Sequence, residues 1–214
     1  MDTFLNQAIL AKELCLKKIN KMKIKKIFLI FFLVQALSLN VKANTNEKKQ
    51  AVVDYVGNIK EFSSKFIQTD GETIEEGNFY LKKNRLKIVY TFPSKIDLII
   101  AKNKAMYFNK DLNEVEYFNP KKTMADVFFK VFNDPSFFTD FLIKSETNYI
   151  ILEKVIGLDE RQINVQLVFE DSPLVIRKIN INDENSKITY SIIDPNFNPN
   201  LDIKFFSMVN PNFN

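Results

Sequence analysis

The chain has 214 residues, is 46% hydrophobic and carries a formal net charge of +4. This composition excludes an intrinsically disordered chain and suits one domain with a sizeable core. Because histidine is absent and Cys15 is the single cysteine, Ser-His triads and the usual His and Cys zinc sites are excluded as well.

A basic and then apolar segment, MKIKKIFLIFFLVQALSLNVKA, stands at 22–43. Its apolar run of about 13 residues is shorter than the roughly 20 that a membrane-spanning helix needs. A cleavage-site pattern that ends in the small residue Ala43 follows, and this order of features is typical of a secretory signal peptide. We therefore expect a cleavable signal peptide over 22–43, with 1–21 as an upstream extension and Met22 as a second candidate start.

Removal of 1–43 changes the charge of the chain, because 22 basic and 24 acidic residues remain. The mature chain then lacks the basic stripe that nucleic acid or an anionic membrane surface would require. Cys15 is lost with the leader, so disulfides and thiol chemistry are not expected. These features favour an exported monomer in a bacterial periplasm, forming a single domain over 44–214.

The first predicted element of the mature chain is an amphipathic helix over 47–62. Apolar residues recur in it at three- and four-residue spacing: Val52, Tyr55, Val56, Ile59 and Phe62. From Lys65 onward the period becomes that of strands, with turn signals such as Asp70-Gly71 between them. The predicted strands are 64–69, 74–82, 85–92, 95–101, 104–109, 113–118, 148–154, 161–170, 174–182, 186–193 and 202–208.

Alternation is clearest in the segment RQINVQLVFED, where every second residue from Ile163 to Phe169 is apolar. One face of the predicted antiparallel sheet is therefore dry and must be buried. A sheet of about eleven strands curls into a barrel or half-barrel, with helices covering its open side. The helix over 47–62 and the phenylalanine-rich stretch at 127–142 are the available covers.

The stretch VFFKVFNDPSFFTDFL, at 127–142, predicts two short helices separated by a break before Pro135. Its phenylalanines lie at helical spacing, and two interpretations remain open. They are ordinary core residues, or they form a lid that faces a ligand. The residues alone do not decide between these interpretations.

Carboxylates are the remaining candidates for catalysis, and four of them cluster near a predicted hairpin turn: Asp70, Glu72, Glu75 and Glu76. A glycosidase needs two carboxylates facing each other across a groove, whereas a charge run at a turn is usually solvated. The four glycines build no phosphate-binding loop. We predict no catalytic residue, no cofactor and no metal site, and keep a carboxylate hydrolase as the weakest alternative.

Landmarks occur in a recognisable order between Phe62 and Phe118. They are Phe62-x3-Phe66-x-Gln68, Gly77 before an aromatic-rich strand, a basic turn, the strand from Arg85 to Tyr90 that ends at Pro93, the Lys102-Asn103 turn, Met106-Tyr107-Phe108 and a turn with Asp111. In this order the segment resembles the opening half of the outer-membrane lipoprotein carrier protein family, LolA. The resemblance continues weakly over most of 46–213.

The resemblance implies a mainly β fold with helices (α+β), an incomplete antiparallel β-barrel of about eleven strands capped by short helices that enclose an apolar cavity. It implies a periplasmic carrier that takes triacylated lipoproteins from an inner-membrane ATP-driven transporter to an outer-membrane acceptor protein, without a cofactor. The alternative is a lipid-sensing or protein-interaction module on the same half-barrel.

Alternation along the strands then predicts which side chains line the implied lipid-binding cavity. They are Phe79, Leu81, Leu86, Ile88, Tyr90, Ile96, Leu98, Ile100, Met106 and Phe108. An ordinary filled core is the competing interpretation, and Tyr80 competes with its neighbours Phe79 and Leu81 for the inward position.

The resemblance also implies a lid formed by six phenylalanines: Phe128, Phe129, Phe132, Phe137, Phe138 and Phe141. Many family members hold this lid with an arginine from an Arg-Pro pair in the basic turn, where this chain has Lys82-Lys83-Asn84. Lys83 is the nearest match, and Arg85 is the candidate substitute for that latch.

Overall fold

The structure is a computed structural model that describes residues 45–213 apart from 83, 122 and 159. The predicted signal peptide at 22–43, the extension at 1–21 and the latch residue Lys83 therefore lie outside the described residues. Lys48 begins the compact unit to which the whole sheet belongs.

Eleven antiparallel strands form one open sheet, in the order β6-β5-β4-β3-β2-β1-β11-β10-β9-β8-β7. The strands are β1 Glu61–Thr69, β2 Ile74–Lys82, β3 Arg85–Phe92, β4 Ile96–Ala101, β5 Lys104–Asn109, β6 Glu114–Phe118, β7 Leu142–Ser145, β8 Tyr149–Leu158, β9 Arg161–Asp171, β10 Leu174–Asn182 and β11 Lys187–Asn196. The predicted α+β class and the incomplete antiparallel barrel are confirmed.

Two details of the strand prediction are wrong. The predicted strand 202–208 contains instead a 3-10 helix, Ile203–Phe206, in which the Asp202 carboxylate accepts a hydrogen bond from the Lys204 N–H at 2.9 Å. Conversely, β7 lies in a segment for which no strand was predicted. It has four residues, which is too short to show an alternating pattern, and it forms by pairing with β8.

The first helix, α1, spans 45–58. The predicted end at 62 is wrong, because the helix stops after Gly57-Asn58. Phe62 already belongs to β1, where it pairs with Leu81 of β2. Val52 and Val56 are buried against the sheet. At the other end of α1, the Lys48 ammonium forms an ion pair with Asp171 at 2.8 Å.

The phenylalanine-rich stretch does contain two short helices, as predicted. They are α2, Met124–Asn133, and a 3-10 helix, Pro135–Phe138. The break between them is fixed by the Asp134 carboxylate, which accepts a hydrogen bond from the Ser136 N–H at 3.0 Å. The 3-10 helix is shorter than predicted because Leu142 already begins β7.

The sheet has two faces, and each is covered by a different part of the chain. The inner face packs against α1 and α2 in one large apolar cluster that draws on both halves of the sheet. On β4 and β5 the outer face forms a second cluster, in which Ile99 and Met106 pack with Phe206. The residues from Leu201 to Met208 supply this cover and are called the tail below.

Candidate functional site

Aromatic rings from the sheet and from α2 meet at the centre of the inner face. Phe66 of β1 stacks on Phe79 of β2, with ring centroids 4.4 Å apart. From α2, Phe128 lies 5.9 Å from Phe79 and Phe132 lies 5.7 Å from Phe62. Cross-strand neighbours and a helix face thus bring together rings that are far apart in the sequence.

Eight of the ten predicted cavity residues lie on the inner face. Phe79 pairs with Ile88, which in turn pairs with Leu98, so alternate residues of β2, β3 and β4 share this face. The eight are Phe79, Leu81, Leu86, Ile88, Tyr90, Ile96, Leu98 and Ile100. Tyr80 points the other way, with its ring 4.9 Å from that of Phe205 in the tail.

The assignment of Met106 and Phe108 to the inner face is wrong. Ala105 pairs with Ile100 and Met106 pairs with Ile99, so Met106 and Phe108 belong to the outer cluster under the tail. Apolar residues stand on both faces of β5 because both faces are covered, so alternation no longer distinguishes the inner face from the outer face.

Four of the predicted lid phenylalanines are buried against the inner face: Phe128, Phe132, Phe138 and Phe141. Phe129 and Phe137 are half-buried at the edge of the same cluster. The side chains of α2 fill the space over the sheet, and a cleft of about 690 Å3 lies instead beside the solvent side of α2, between Lys130 and the turn residues Asn84 and Lys102. Among the described residues α2 thus covers the inner face, and the region between α2 and this face is called the groove below.

The polar side chains of α2 bond within the helix rather than to the sheet. Lys130 pairs with Asp126 at 2.6 Å, and the Asn133 amide donates to the Phe129 carbonyl at 3.1 Å. Within the described residues, no side-chain hydrogen bond or ion pair joins α2 to a strand. Lifting α2 away therefore exposes apolar surface without breaking a polar contact to the sheet.

The segment that follows α2 is fixed more firmly. The Lys49 ammonium of α1 donates to the carbonyl of Phe141 at 2.9 Å and also reaches the carbonyl of Thr139. The Lys154 ammonium lies 5.4 Å from the centre of the Phe137 ring, within cation–π range. Sequence analysis missed both lysines, since a lysine that bonds a backbone carbonyl carries no local sequence signal.

Arg85 holds the tail and not the lid, so its predicted latch role is wrong. Its guanidinium donates to the Phe206 carbonyl at 3.0 Å, and the Lys87 ammonium donates to the Phe205 carbonyl at 3.3 Å. Leu86 points inward, and alternation therefore sends Arg85 and Lys87 to the outer face.

Replacement of Arg85 by alanine is expected to loosen the tail. Loss of a hydrogen bond from a charged donor should lower the free energy of unfolding by about 1.5–3 kcal/mol and speed tryptic cleavage after Lys204. Urea denaturation and limited proteolysis measure the two effects. Arg161→Ala is the control, because the 63% exposed Arg161 side chain contributes little; equal cleavage rates in both variants would contradict the prediction.

The family model of the outer membrane lipoprotein carrier protein LolA matches residues 57–209. The chain belongs to the LolA family. The predicted family membership is thus confirmed over most of the residues that the structure describes. A comparison with curated protein sequences gave no match.

Three solved structures are similar to this LolA-family chain. An uncharacterized conserved protein from Thermus thermophilus has a TM-score of 0.52 and 8% identity, covering 75% of this chain and 91% of that one. A DUF1329 family protein from Desulfovibrio piger has a TM-score of 0.48 at 10% identity and 77% and 97% coverage. The Pseudomonas aeruginosa MucA/MucB complex gives 0.45 at 10% identity and 75% and 60% coverage. The first of these similarities supports the half-barrel fold.

Two members of the carboxylate cluster of this LolA-family chain, Asp70 and Glu72, lie in the turn between β1 and β2, whereas Glu75 and Glu76 belong to β2. The Asp70 carboxylate accepts hydrogen bonds from the Thr73 N–H at 2.7 Å and the Glu72 N–H at 2.9 Å. The Thr73 and Glu72 N–H groups lower the pKa of Asp70 below its ordinary value. Within the described residues there is no cluster of acidic side chains suited to a metal ion, and no helix long and apolar enough to span a membrane.

Three tyrosines have raised pKa values: Tyr190 is buried, and Tyr55 and Tyr90 are half-buried with hydrogen-bonded hydroxyls. Burial raises the pKa of Tyr55 and of Tyr90 to about 12 and raises the pKa of Tyr190 well above its usual value. Tyr55 accepts a hydrogen bond from the Ile176 N–H at 3.4 Å, and Tyr90 donates to the Gln68 side-chain oxygen at 3.0 Å. In each case burial favours the neutral phenol.

These shifts predict a loss of stability at high pH. The folded chain keeps phenol protons that the unfolded chain releases near pH 10. The contribution of these tyrosines to the free energy of unfolding is therefore complete below pH 10 and is lost as pH rises through 12. In this window each such tyrosine should lower the free energy of unfolding by about 1.4 kcal/mol per pH unit. Urea midpoints between pH 9 and 12 test this, and Tyr55→Phe should flatten the slope. An unchanged slope in that variant would contradict the assignment.

Proposed function

We propose that this LolA-family protein is a periplasmic carrier that binds lipoprotein acyl chains between α2 and the inner face of the sheet. The attachment of α2 carries the proposal, because its contacts to the sheet are apolar and its polar bonds stay within the helix. In this view three phenylalanines of the predicted lid, Phe128, Phe129 and Phe132, form a movable plug on α2. The other three, Phe137, Phe138 and Phe141, stay with the segment that Lys49 holds. The eight predicted cavity residues on the inner face become accessible once that plug moves.

The free energy that is lost when α2 opens is similar in size to the free energy that is gained when an acyl chain is buried. Lifting α2 uncovers Ala125 and four large buried side chains, Val127, Phe128, Val131 and Phe132, and the four large ones cost about 6–12 kcal/mol at 1.5–3 kcal/mol each. A 16-carbon acyl chain gains about 13 kcal/mol at 0.8 kcal/mol per methylene. The net gain is therefore small for one chain, and the cargo can pass to an acceptor that binds it better.

The finer parts of the proposal follow the family resemblance. The signal peptide at 22–43 directs export, and the mature single domain, from residue 44, takes triacylated lipoproteins from an inner-membrane ATP-driven transporter to an outer-membrane acceptor as a monomer. The chain supplies binding and release and no catalytic group. A protein-interaction module on the same fold would bind a partner without needing an acyl chain.

The test is direct binding of a dipalmitoylated peptide to the purified chain from residue 44, followed by native mass spectrometry and by displacement of a fluorescent fatty acid. We expect a one-to-one complex that Ile88→Glu on the inner face abolishes. Val155→Glu is the matched control, since Val155 is an apolar strand residue that is 59% exposed. Circular dichroism verifies the fold of each variant.

A folded wild-type chain that binds neither the peptide nor the fatty acid would contradict the carrier function and favour the interaction module. If Ile88→Glu fails to fold, Phe132→Ala provides the second arm. Removal of this α2 ring lowers the cost of opening, so the variant should bind the dipalmitoylated peptide more tightly than the wild type.

A further inference from the structure

A chain of three polar side chains interrupts the apolar inner face. Tyr90 of β3 donates a hydrogen bond to the Gln68 side-chain oxygen of β1 at 3.0 Å, and Tyr190 of β11 lies close enough to Tyr90 for each phenol to affect the pKa of the other. Tyr190 and Gln68 are direct neighbours across the β1–β11 pair. Two strands from the start of the sheet and one from its end in sequence thus contribute to one polar spot, which is called the tyrosine relay below.

Aromatic rings cover the tyrosine relay, and one of them belongs to α2. The Phe128 ring stands edge-on to Tyr190, with centroids 4.6 Å apart, and Phe66 stands edge-on to Tyr90 at 5.2 Å. Tyr190 is only 7% exposed in this closed structure. When α2 moves away, Phe128 leaves with it and the Tyr190 hydroxyl faces the groove, while Phe66 stays with the sheet.

The direction of donation leaves hydrogen-bond donors at the end of the relay. Gln68 uses its side-chain oxygen to accept from Tyr90, and its amide nitrogen carries two N–H groups with no hydrogen bond recorded among the described residues. Gln68 is half-buried, and it lies on the same face of β1 as the buried Phe66. A ligand with an acceptor oxygen can bond this amide without breaking the relay.

The charge beside the relay selects among acceptor oxygens. Glu75 pairs directly with Gln68 across β1 and β2, and its negative charge raises the pKa values of Tyr90 and Tyr190 after the larger effect of burial. A carboxylate ligand would be repelled by Glu75, whereas the neutral oxygen of an ester or amide would not. The chemistry of the spot therefore fits a neutral carbonyl group.

We propose that Gln68 and Tyr190 form a subsite that donates hydrogen bonds to the ester or amide carbonyls of a bound acyl chain. Tyr90 holds the Gln68 amide in place, and α2 uncovers the subsite as it opens. The inference rests on the proposed carrier function. It assigns the polar end of the groove to the head of the lipid and the phenylalanine-lined remainder to its hydrocarbon. Gln68 supplies the first donor and Tyr190 the second.

The experiment compares two probes of equal chain length, a dipalmitoylglyceryl peptide with ester links and its dialkyl analogue with ether links. The ether analogue lacks the carbonyl oxygens. We expect the wild type to bind the ester about 25-fold more tightly, since the two additional hydrogen bonds contribute about fivefold each. Tyr190→Phe and Gln68→Met should each reduce this preference to about fivefold while leaving the affinity for the ether unchanged.

Tyr80→Phe is the matched control, because it also removes one phenol hydroxyl, but on the outer face, where the Tyr80 ring contacts Phe205. This control should keep the ester preference. Equal affinity of the wild type for both probes would overturn the subsite and leave the carrier function standing. Failure to bind either probe would overturn both.

A structural role gives a different pattern, in which Tyr190→Phe weakens both probes equally, and that result would also overturn the subsite. If Tyr190→Phe does not fold, Gln68→Met decides the question alone, since Gln68 is only half-buried and its replacement removes the free donors without leaving a cavity.

Discussion

Replacement of Phe79 by alanine is expected to lower the free energy of unfolding by about 3–5 kcal/mol. Phe79 is fully buried and lies at the centre of the inner-face rings, within 6.3 Å of four other aromatic centroids. Its neighbours come from β1, β11 and α2, so the cavity that it leaves cannot be filled by the movement of one element. Urea denaturation followed by circular dichroism measures the change.

The control for this substitution is Phe92→Ala, because the Phe92 side chain is 56% exposed at the end of β3. That variant should stay within about 1 kcal/mol of the wild type. A loss below about 1 kcal/mol in Phe79→Ala would mean that α2 collapses into the vacated space.

Replacement of Gly77 by alanine is expected to cost about 3 kcal/mol or more, through overpacking rather than through a cavity. A β-carbon at this position would stand 2.3 Å from the Val89 carbonyl oxygen and 2.6 Å from the Phe66 ring. The carbonyl belongs to the backbone of β3, so the strand pair itself would have to separate. The pairing is already irregular between Glu76 and Gly77.

Gly157→Ala provides a matched comparison in β8, because nothing lies within 4 Å of the added carbon there. We expect this variant to be at least as stable as the wild type, since alanine restricts the unfolded chain more than glycine does. Thermal melting of the two variants side by side tests the prediction. Equal melting temperatures would show that β2 and β3 can absorb the extra carbon.

Much of the fold could be predicted because alternation and turn residues are local properties. Strands β2, β3 and β5 have their predicted bounds, 74–82, 85–92 and 104–109. Where the prediction failed, a distant segment decided the outcome. Met106 and Phe108 turn outward because the tail covers them, and no pattern within β5 announces that cover.

The candidate site was predicted less completely than the fold. The aromatic residues of α2 could be identified from their helical spacing, but Tyr190 could not be connected with Gln68 and Tyr90. That connection depends on the pairing of β1 with β11, which joins the two ends of the sheet's sequence. The Lys49 contact with the Phe141 carbonyl was equally inaccessible, since it depends on where α1 lies over the sheet.

The pairing of β1 with β11 also constrains when the molecule can fold. These two strands are neighbours in the middle of the sheet, although most of the described chain separates them in sequence. The half-barrel therefore cannot be completed strand by strand during synthesis, because the edge of β1 opposite β2 has no partner until β11 has been made. Such long-range closure slows folding and keeps an apolar sheet edge open in the incomplete chain. The architecture thus favours a chain that stays unfolded during synthesis and forms its sheet only after β11 is available.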